Sequence, residues 1–478
     1  MTEKTISYEI ETEIPSSYLR NLFEFMQQKY IIPQKNRFAD ASTKTVDGDH
    51  SLVFDALDQL GRHVLSVEIR GSKPLVVRIT KLHESVSEAK IEEVKQDIII
   101  AEETFEENVR ESTLFFAWRE GEQILPEQVH GNEKKSLNRL FLETQILLFV
   151  LFISLGMVLF LFVGWLAPIA LMAIQLVFVF FSNKLIARTA DWHITESNPT
   201  IHLLEYHLPV EQHEDLLKNF PKEKLASMKK EIYDKTLAKN GNVDCETVEG
   251  VFAKYGFTCS RENLESKKVN VYEMVKKTTE KFGFPMPEVV VSNTFLPNAA
   301  ASGPSPSRGI VLITTGLLVQ LEEDEIVSVL GHELGHLKGR DPLLLYGLTA
   351  AEFLFRFYVL FPLFPSLFIS YFFLLYFWAV MTVIYFIAKF FEARADLVSA
   401  MVIGQPQVLA EALEKIGFKR LLYERIPSYR FQEWISLEPH PPIYFRVSRL
   451  EKLVPPVKIK HPLLQSAKDV IKGFLASF

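Results

Sequence analysis

The sequence predicts a mostly helical α+β protein, with an N-terminal soluble α+β domain and two transmembrane helical hairpins. Two long apolar runs, residues 145–182 and 343–388, predict the hairpins, and alternating strand patterns before residue 80 predict a sheet. The chain has 478 residues, which is enough for two or three domains. Because the net charge is −7 and no long basic tract occurs, nucleic acid is not an expected partner.

In the N-terminal region, residues 64–70 and 75–79 alternate apolar and polar side chains, as half-buried strands do. Residues 71–74 between them include a glycine and a proline, so the two runs predict a β-hairpin. Residues 85–109 are rich in Glu and Lys and predict a helix. The polar N-terminus shows no signal peptide, so we expect residues 1–140 to form a cytosolic domain, and nothing in them indicates a catalytic role.

The first apolar run, residues 145–182, carries no charged residue and is too long for one span of about 20 residues. Gly164 and Pro168 interrupt it and predict a tight break between two helices. Basic residues flank both ends, so the positive-inside rule predicts that both ends lie in the cytosol. These residues are Lys134, Lys135 and Arg139 before the run, and Lys184 and Arg188 after it.

The second apolar run, residues 343–388, is interrupted by Pro362 and Pro365 and predicts a second hairpin. Glu352 and Arg356 lie inside it one helical turn apart, and two placements remain open. Either they pair and mark a wet groove at membrane depth, where ionisable residues are costly, or the span begins later and leaves both at the interface. Basic residues again flank both ends, namely Lys338 and Arg340 at one end and Lys389 and Arg394 at the other.

The two cysteines, Cys245 and Cys259, form no CxxC pair and lie far in sequence from the histidine motif described next. We expect them to be reduced structural thiols in a cytosolic compartment.

The most informative motif is His332-Glu333-Leu334-Gly335-His336. On a helix, residues four apart share one face, so both imidazoles can bind one zinc ion. Glu333 can then hold and deprotonate a zinc-bound water, which is the arrangement of a metalloprotease. The alternative is an amphipathic helix whose histidines share a face by chance. Acidic residues at 322–325 favour a helix N-terminus just before the motif.

A catalytic zinc usually takes three protein ligands, so a third ligand is needed. Glu392 and Asp396 lie downstream and again share a helix face by their spacing of four. Glu392 would complete a His-His-Glu site. Asp396 would accept a hydrogen bond from the second ring nitrogen of a ligating histidine, most simply His332, and so fix its tautomer.

In this order, the motifs resemble those of the HtpX-type membrane zinc metalloproteases, relatives of the CAAX prenyl proteases. The resemblance covers about residues 140–450 and leaves the N-terminal domain outside. Ala300 stands where the family usually has Phe, which puts the local side-chain pocket in doubt. The matching segments are residues 331–336 with Asp341, residues 392–396, residues 297–303 followed by 310–318, residues 406–416, and His440-Pro441-Pro442 with Arg446 and Leu450.

The resemblance implies a zincin-type metalloprotease that holds one Zn²⁺ per chain, with Glu333 as the general base. It implies that His440 stabilises the oxyanion of the tetrahedral intermediate. It also implies that Arg446 holds the region of the acidic ligand, against Asp396. The metal ligands would be His332, His336 and Glu392, with Asp341 and Asp396 behind them.

In that family, a strand such as residues 310–314 lies at the sheet edge beside the active-site helix. An edge strand offers unpaired N–H and C=O groups, so an extended peptide can add to it. We therefore expect Asn298, Ala299 and Ala301 to contact a substrate peptide. A turn followed by a core strand is the alternative for this segment.

The expected function is cleavage of peptide bonds at the cytosolic face of a cell membrane, with both soluble regions on that side. The partners would be protein or peptide substrates, membrane proteins above all, and the lipid bilayer. Quality control of membrane proteins is one role, and processing of a specific or lipid-modified peptide is another. A zinc-stabilised adaptor without turnover is a third, which the presence of Glu333 disfavours.

The expected domain order follows from the positions of the two hairpins. It is an N-terminal domain 1–140, a hairpin 141–187, a first part of the protease domain 188–342, a second hairpin 343–388 and a second part of the protease domain 389–478.

Overall fold

A computed structural model describes residues 5–10, 12, 14–46, 49–58, 60–83, 86–111, 113–119, 145–208, 222–239, 241–424 and 427–477. The chain divides into two compact units, the first of residues 1–116 with 204–266 and the second of residues 117–203 with 267–478. The predicted mostly helical α+β class is confirmed. The basic residues Lys134, Lys135 and Arg139 lie outside the described residues.

The structure has strands in both units, numbered here in chain order. They are β1 Thr5–Ile10, β2 Phe38–Val46, β3 Asp49–Leu57, β4 His63–Arg70, β5 Leu75–Lys81, β6 Thr113–Arg119, β7 Trp192–Ile194, β8 Thr200–His207, β9 Leu264–Asn270, β10 Glu288–Ser292, β11 Ala299–Ser302 and β12 Ile310–Thr314.

The first unit contains an antiparallel sheet in the order β1-β5-β4-β3-β2. The predicted hairpin is confirmed, because β4 and β5 pair with Arg70 opposite Val76. Leu75 and Val77 are buried on one face, where the helix Glu88–Glu111 packs, and this helix matches the predicted one. The other helices of this unit are Leu19–Phe25, continued by a π-helical segment Met26–Ile31, then Lys222–Lys235 and Cys245–Lys254.

The two cysteines are paired, which corrects the expectation of separate reduced thiols. Cys245 begins the helix Cys245–Lys254, and Cys259 lies in the segment that follows it, with the two Cα atoms 5.7 Å apart in a disulfide. The sequence spacing of 14 residues concealed the pair, because the chain turns back after the helix at Gly256, where φ is +88°.

The second unit contains a four-stranded sheet in the order β11-β12-β10-β7. Strands β10 and β12 run parallel, and β11 and β7 run antiparallel to their neighbours. The expectation that residues 310–314 lie at the sheet edge is wrong. Residues 299–302 turn back onto β12, with Ala301 opposite Val311, and β11 is therefore the edge strand.

The second unit also contains helices, which lie before, between and after these strands in the sequence. They are Gln145–Val163, Ala167–Phe180, Ser182–Thr189, Val271–Phe282, Thr315–Gln320, Glu323–Gly339, Asp341–Phe355 continued by the π-helical segment Arg356–Leu360, Phe361–Leu363, Pro365–Ile369, Phe372–Val402, Pro406–Glu424, Pro427–Ile435, Ile443–Glu451 and Pro462–Leu475.

Three stretches among the described residues are long and apolar enough to cross a membrane: Leu151–Phe180, Asp341–Leu363 and Phe372–Val402. The first is itself broken at Gly164, where φ is +54°, and the helices on either side pack together through Phe152 and Phe178. The break that Gly164 and Pro168 predicted is confirmed. The number of four spans stays a prediction.

Glu352 and Arg356 pair within the second apolar region. Arg356 Nε lies 2.9 Å from Glu352 Oε1, and both side chains are largely buried. Tyr376 donates a hydrogen bond to the same Glu352 oxygen at 3.0 Å and joins the helix Asp341–Phe355 to the helix Phe372–Val402. The charges thus satisfy each other, as ionisable groups in apolar surroundings must.

Candidate metal centre and active site

The helix that carries the histidine motif, Glu323–Gly339, is called the HExxH helix below. A capping box starts it, in which the Glu322 backbone N–H donates to the Glu325 carboxylate at 2.8 Å. It ends at Arg340, whose φ is +54°. Between these ends, His332 and His336 lie on one face, with their Nε2 atoms 3.2 Å apart. The predicted helix and its shared face are therefore present.

The HExxH helix packs closely against Phe372–Val402, which is called the long helix below. Small residues permit this approach. A Cβ atom on Gly331 would lie 2.6 Å from Ser399 Oγ, and one on Gly335 would lie 3.1 Å from Ala395 Cα. Larger side chains at these two glycines would force the helices apart. The glycines therefore determine how near the long helix brings its acidic residues to the histidines.

Glu392, on the long helix, meets both histidines at their Nε2 atoms. Its Oε2 lies 3.5 Å from His332 Nε2, and its Oε1 lies 3.4 Å from His336 Nε2. The side chains of His332, His336 and Glu392, called the triad below, form a group that could hold a metal ion, with ligand atoms within 4.8 Å of one another. Glu392 Oε2 is buried and hydrogen-bonds to no described protein atom. The donor set and this buried oxygen fit a bound cation.

The other ring nitrogen of each histidine is held by an aspartate. His332 Nδ1 lies 2.8 Å from Asp396 Oδ1, and His336 Nδ1 lies 2.8 Å from Asp341 Oδ2. A protonated Nδ1 that donates to a carboxylate leaves the Nε2 lone pair free for a metal and makes it more basic. Both imidazoles are thus oriented toward Glu392 by carboxylates outside the triad.

Each of these aspartates is paired in turn with an arginine. Arg446 donates to both oxygens of Asp396, from Nε at 2.9 Å and from Nη2 at 2.7 Å. Arg394 Nη2 lies 2.5 Å from Asp341 Oδ2 and also donates to the Gly335 carbonyl at 3.3 Å. A buried carboxylate without such a partner would be costly. The two arginines thus compensate the negative charge of both carboxylates behind the histidines.

Burial alone would lower the pKa of His332, but the neighbouring carboxylates of Asp396 and Glu392 outweigh it and raise that pKa to about 10. The same surplus of negative charge that retains a proton on the ring also attracts a metal cation, which would replace that proton. The electrostatics of this group therefore favour cation binding.

Glu333 lies beside the histidines and faces the edge strand of the sheet. Its Oε2 accepts a hydrogen bond from the Ala301 backbone N–H at 2.9 Å, so β11 runs directly alongside the motif. Burial raises the pKa of the Glu333 carboxyl above its ordinary value, against the opposing effect of the two histidines. A raised pKa suits a group that takes up and returns a proton near neutral pH.

The three residues expected to contact a peptide differ in their backbone roles. Asn298 is committed to the sheet, because its N–H donates to Thr314 Oγ1 and its carbonyl accepts from the Thr314 N–H. Ala299 and Ala301 lie on the edge strand β11 itself, and both are only partly buried. The Ala301 N–H points away from β12 toward Glu333, and Ala299 has the same orientation by the alternation of an antiparallel strand.

His440 also lies near the triad, on a segment outside the HExxH helix and the long helix. Its Nε2 is 3.6 Å from Glu392 Oε2, and its side chain is 48% exposed, so a bound peptide can reach it. The Glu392 carboxylate raises the pKa of His440, but burial and the nearby cations Arg446 and His332 outweigh it and lower that pKa overall.

Two residues that sequence reasoning missed hold the segment bearing His440. Lys389 is fully buried on the long helix and donates to the Glu438 carbonyl at 2.5 Å. Glu424 accepts hydrogen bonds from the Ile443 and Tyr444 backbone N–H groups, both at 2.9 Å. The signal for Lys389 was its place three residues before Glu392, because a lysine inside an apolar run needs a polar partner.

Comparison with known proteins identifies the relatives of this site. Residues 265–454 match the family described as Peptidase family M48. The chain is 31% identical over 226 residues to a "Protease HtpX homolog" from Gemmatimonas aurantiaca, an alignment that covers 38% of this chain and 75% of that relative. The chain belongs to peptidase family M48. Within it, the chain is an HtpX-type metalloprotease.

Other HtpX-type relatives are matched over smaller shares of their length. A "Protease HtpX homolog 2" from Methanosarcina acetivorans is 32% identical over 180 residues, which cover 34% of this chain and 59% of the relative. A "Protease HtpX homolog" from Thermodesulfovibrio yellowstonii is 39% identical over 94 residues, or 20% of this chain and 32% of the relative. The chain thus spans between about a third and three quarters of these proteins.

Membership in the family has two consequences for the site. The M48 metalloproteases use a metal ion, usually zinc, and the group of His332, His336 and Glu392 is present to hold one. A protease family also implies peptide or protein substrates. The N-terminal sheet of the first unit lies before residue 265 and so outside the match to the family.

Proposed function

We propose that this chain is a zinc-dependent endopeptidase that is embedded in a membrane. His332, His336 and Glu392 would be the zinc ligands, and Glu333 would be the general base. The convergence of two Nε2 atoms and one buried carboxylate from separate helices supports this proposal most strongly. A His-His-Glu set that leaves a fourth position open is a donor set that catalytic zinc takes in proteases.

Glu333 would take a proton from water and later return it to the leaving amine. A zinc ion bound at the site would polarise the scissile carbonyl and lower the pKa of water toward neutrality. The raised pKa of Glu333 suits this exchange, since it makes the carboxylate a stronger base toward water. The Ala301 N–H, 2.9 Å from Glu333, would keep the carboxylate oriented.

His440 would donate a hydrogen bond to the oxyanion that develops on the substrate carbonyl. Its exposure and its 3.6 Å separation from Glu392 support this role, since the donor must reach both the triad and a bound peptide. Arg446 would act through Asp396, by holding the carboxylate that orients His332. Asp341 would do the same for His336.

A substrate peptide would add to the open side of β11 as an extended strand. Ala299 would offer its backbone N–H and C=O groups. Ala301 would offer only its C=O group, because its N–H donates to Glu333, and Asn298 would only shape the turn before them. This mode selects main chain rather than side chains, so it favours a protease of broad specificity. Small side chains at residues 299–301 leave room beside the strand, and Ala300 occupies the place where relatives have Phe.

The biological role would be quality control of membrane proteins, cut on the cytosolic side. Both helices that carry the triad continue as apolar segments, Asp341–Leu363 directly after the HExxH helix and the long helix before Glu392. A site at the ends of these segments would lie close to polypeptide chains that emerge from the bilayer. Lys184 and Arg188 after the first apolar stretch support the cytosolic side, whereas the disulfide is typical of oxidising compartments.

The decisive experiment compares the purified full chain with its Glu333→Gln variant. Both are purified in detergent, their zinc content is measured, and each is incubated with casein. We expect one zinc in each protein, cleavage by the wild type alone, and inhibition by a chelator. The loss in the variant should be at least about a hundredfold, the range of a general base. Equal cleavage by both proteins would contradict the assignment of Glu333.

A processing protease with a specific or lipid-modified substrate is the alternative role. The CAAX relatives support it, since they share the motifs. If both proteins hold zinc and neither cuts casein or its own chain, the degradative role is contradicted, and specific processing takes its place. An adaptor without turnover would require that no substrate is cut at all.

A further inference from the structure

A cavity of about 330 Å³ lies at the C-terminal end of the HExxH helix, and its lining includes none of the three proposed zinc ligands. We call it the basal cavity and define it by Lys338, Gly339, Arg394, Val398 and residues 460–464. Its basic side chains are Lys338, Arg394, Lys460 and His461, and no acidic residue lines it in the described parts of the chain. Leu463, Leu464 and Val398 form an apolar wall.

The basal cavity lies next to segments that are long and apolar enough to span a membrane. Lys338 and Gly339 come directly before Asp341, where the apolar segment Asp341–Leu363 begins. The C-terminal helix, Pro462–Leu475, starts at the cavity and runs along the long helix. Its Phe474 ring lies 5.3 Å from Phe386, inside the apolar segment Phe372–Val402. The C-terminal helix thus extends from the cavity toward the level of the bilayer.

The exposed face of the C-terminal helix, like the basal cavity, carries both apolar and basic side chains. Leu464, Ile471 and Leu475 lie on one stripe of this helix and are 68%, 45% and 62% exposed. Lys468 and Lys472 flank the stripe, whereas Asp469 is paired with Arg449 at 2.9 Å. An apolar stripe with lysines beside it is typical of a helix that lies in a lipid interface. The surface around the cavity is therefore suited to lipid.

One polar group in the cavity wall, the guanidinium of Arg394, is only partly hydrogen-bonded within the described residues. Arg394 is nine-tenths buried, and its Nη2 atom donates to Asp341 and Gly335. Its Nε atom is buried and hydrogen-bonds to no atom among the described residues. The Arg394 guanidinium lines the cavity together with Lys338 and Lys460, and a phosphate oxygen accepts charge-assisted hydrogen bonds from basic groups of this kind. Leucines on the opposite wall fit the start of an acyl chain.

We propose that the basal cavity binds the headgroup of an anionic phospholipid, with the C-terminal helix lying on the same membrane surface. The phosphate would meet the basic side chains of Lys338, Lys460 and Arg394, and the glycerol and acyl chains would pass along Leu463 and Leu464. A lipid bound there would contact both the HExxH helix and the long helix, behind the residues that orient His336. The site is separate from the triad, and its test does not depend on proteolysis.

The test uses the purified full chain in a zwitterionic detergent and a short-chain phosphatidylglycerol as the probe. Binding is measured by calorimetry for the wild type and for Lys338→Gln/Lys460→Gln. The matched control is Lys452→Gln/Lys458→Gln, which removes two lysine charges from nearby positions that do not line the cavity. Zinc content and the thermal midpoint show whether each variant is folded.

We expect the wild type and the control to bind phosphatidylglycerol and not phosphatidylcholine. The cavity variant should bind about tenfold or more weakly, since each basic residue near an anionic lipid contributes about 1 kcal/mol. Equal binding by cavity variant and control would overturn the proposal. Inorganic phosphate is titrated as a second probe. If it binds as tightly as the lipid, the site recognises a free anion and the lipid assignment is wrong.

Discussion

The guanidinium of Arg446 donates to both carboxylate oxygens of Asp396, at 2.9 and 2.7 Å. Asp396 is fully buried, and its Oδ1 also meets His332 Nδ1 at 2.8 Å. Three groups from three helices thus form one chain of contacts, from Arg446 through Asp396 to His332. The orientation of the imidazole depends on the arginine because removal of the cation would leave a buried carboxylate uncompensated.

Arg446→Met should therefore weaken metal binding as well as folding. We expect zinc affinity to fall about 10- to 100-fold, the usual loss when support behind a metal ligand is removed. Stability should fall by about 3–5 kcal/mol, because a buried ion pair is broken. Zinc content after dialysis against a graded chelator measures the first effect, and denaturant unfolding measures the second.

Arg449→Met is the matched control for this change. Arg449 lies one turn further along the same helix and pairs with Asp469 rather than with Asp396, and it also donates to the Ala393 carbonyl. This variant should lose stability but retain zinc affinity. If both arginine variants lose zinc equally, the contact between Arg446 and Asp396 has no special role in the metal site.

Gly331→Ala should separate the HExxH helix from the long helix. The new Cβ would lie 2.6 Å from Ser399 Oγ and from Ile403 Cγ1, so these side chains must move or one helix must shift. Overpacking of this kind costs about 1–3 kcal/mol. We expect a lower thermal midpoint and reduced zinc affinity, because Glu392 moves away from the histidines.

Gly347→Ala provides the comparison for Gly331→Ala. Gly347 also lies within a helix, but a Cβ there meets no atom within 4 Å. The change should be neutral or slightly stabilising, since alanine favours helix more than glycine does. A loss of zinc in this variant would show that helix glycines matter for reasons other than close packing.

Lys389→Met should lower activity and leave the metal in place. Its ammonium donates to the Glu438 carbonyl and holds the segment that carries His440. Without it, His440 would no longer be fixed beside the triad, and kcat/KM should fall about 10- to 100-fold. Lys389→Arg, which keeps a donor, should retain part of the activity. Loss of zinc in Lys389→Met would contradict a role confined to positioning His440.

Glu102 in the first unit makes stability depend on pH. Burial, together with the neighbouring Glu106, raises the pKa of the Glu102 carboxyl to about 10 from the ordinary value of 4.5. Below pH 4.5 the carboxyl is protonated in both states. As the pH rises toward 10, only the unfolded chain ionises freely, so the free energy of unfolding falls.

Glu102→Gln should remove this pH dependence and stabilise the protein at neutral and alkaline pH. A neutral amide needs no deprotonation, and each kcal/mol gained should raise the thermal midpoint by about 2–4 °C. Calorimetry between pH 5 and pH 9 measures the effect. Glu103→Gln, the same change at the next residue, should have a smaller effect, because the Glu103 charge contributes less to the raised pKa of Glu102 than burial and Glu106 do. An equal slope with pH for wild type and Glu102→Gln would contradict the assignment.

The two cysteines provide a direct test of the disulfide. The structure pairs Cys245 with Cys259, so we expect no free thiol at either residue. Alkylation of intact cells, followed by acid quenching and mass spectrometry, counts the free thiols. Two free thiols would contradict the pairing and would indicate the reducing environment of the cytosol.

Local periodicity was enough to predict several elements of this protein. The spacing of four between His332 and His336, and between Glu392 and Asp396, predicted two helix faces, and both are present. The β4–β5 hairpin and the break at Gly164 were also predicted, because alternation and turn residues act over a few neighbours. These features depend on backbone geometry and need no distant contact.

Contacts between distant segments could not be predicted in the same way. Which strand forms the sheet edge depends on whether residues 299–302 turn back onto β12, and the sequence pattern of β12 is the same in either case. The partners of Asp341 and of the Glu438 carbonyl, Arg394 and Lys389, both lie on the long helix. A buried charge must find a partner, but the sequence does not say which one.

The sequence by itself therefore determined which groups the proposed site contains, since residue types and helical spacing predict a His-His-Glu set with an adjacent carboxylate. Only the tertiary structure decided how the set is assembled. The approach of two helices through Gly331 and Gly335 brings Glu392 to within 3.5 Å of both Nε2 atoms. That approach is a property of packing between residues more than 50 positions apart, as Gly335 and Arg394 are. Packing of this kind produces no periodic pattern in the sequence.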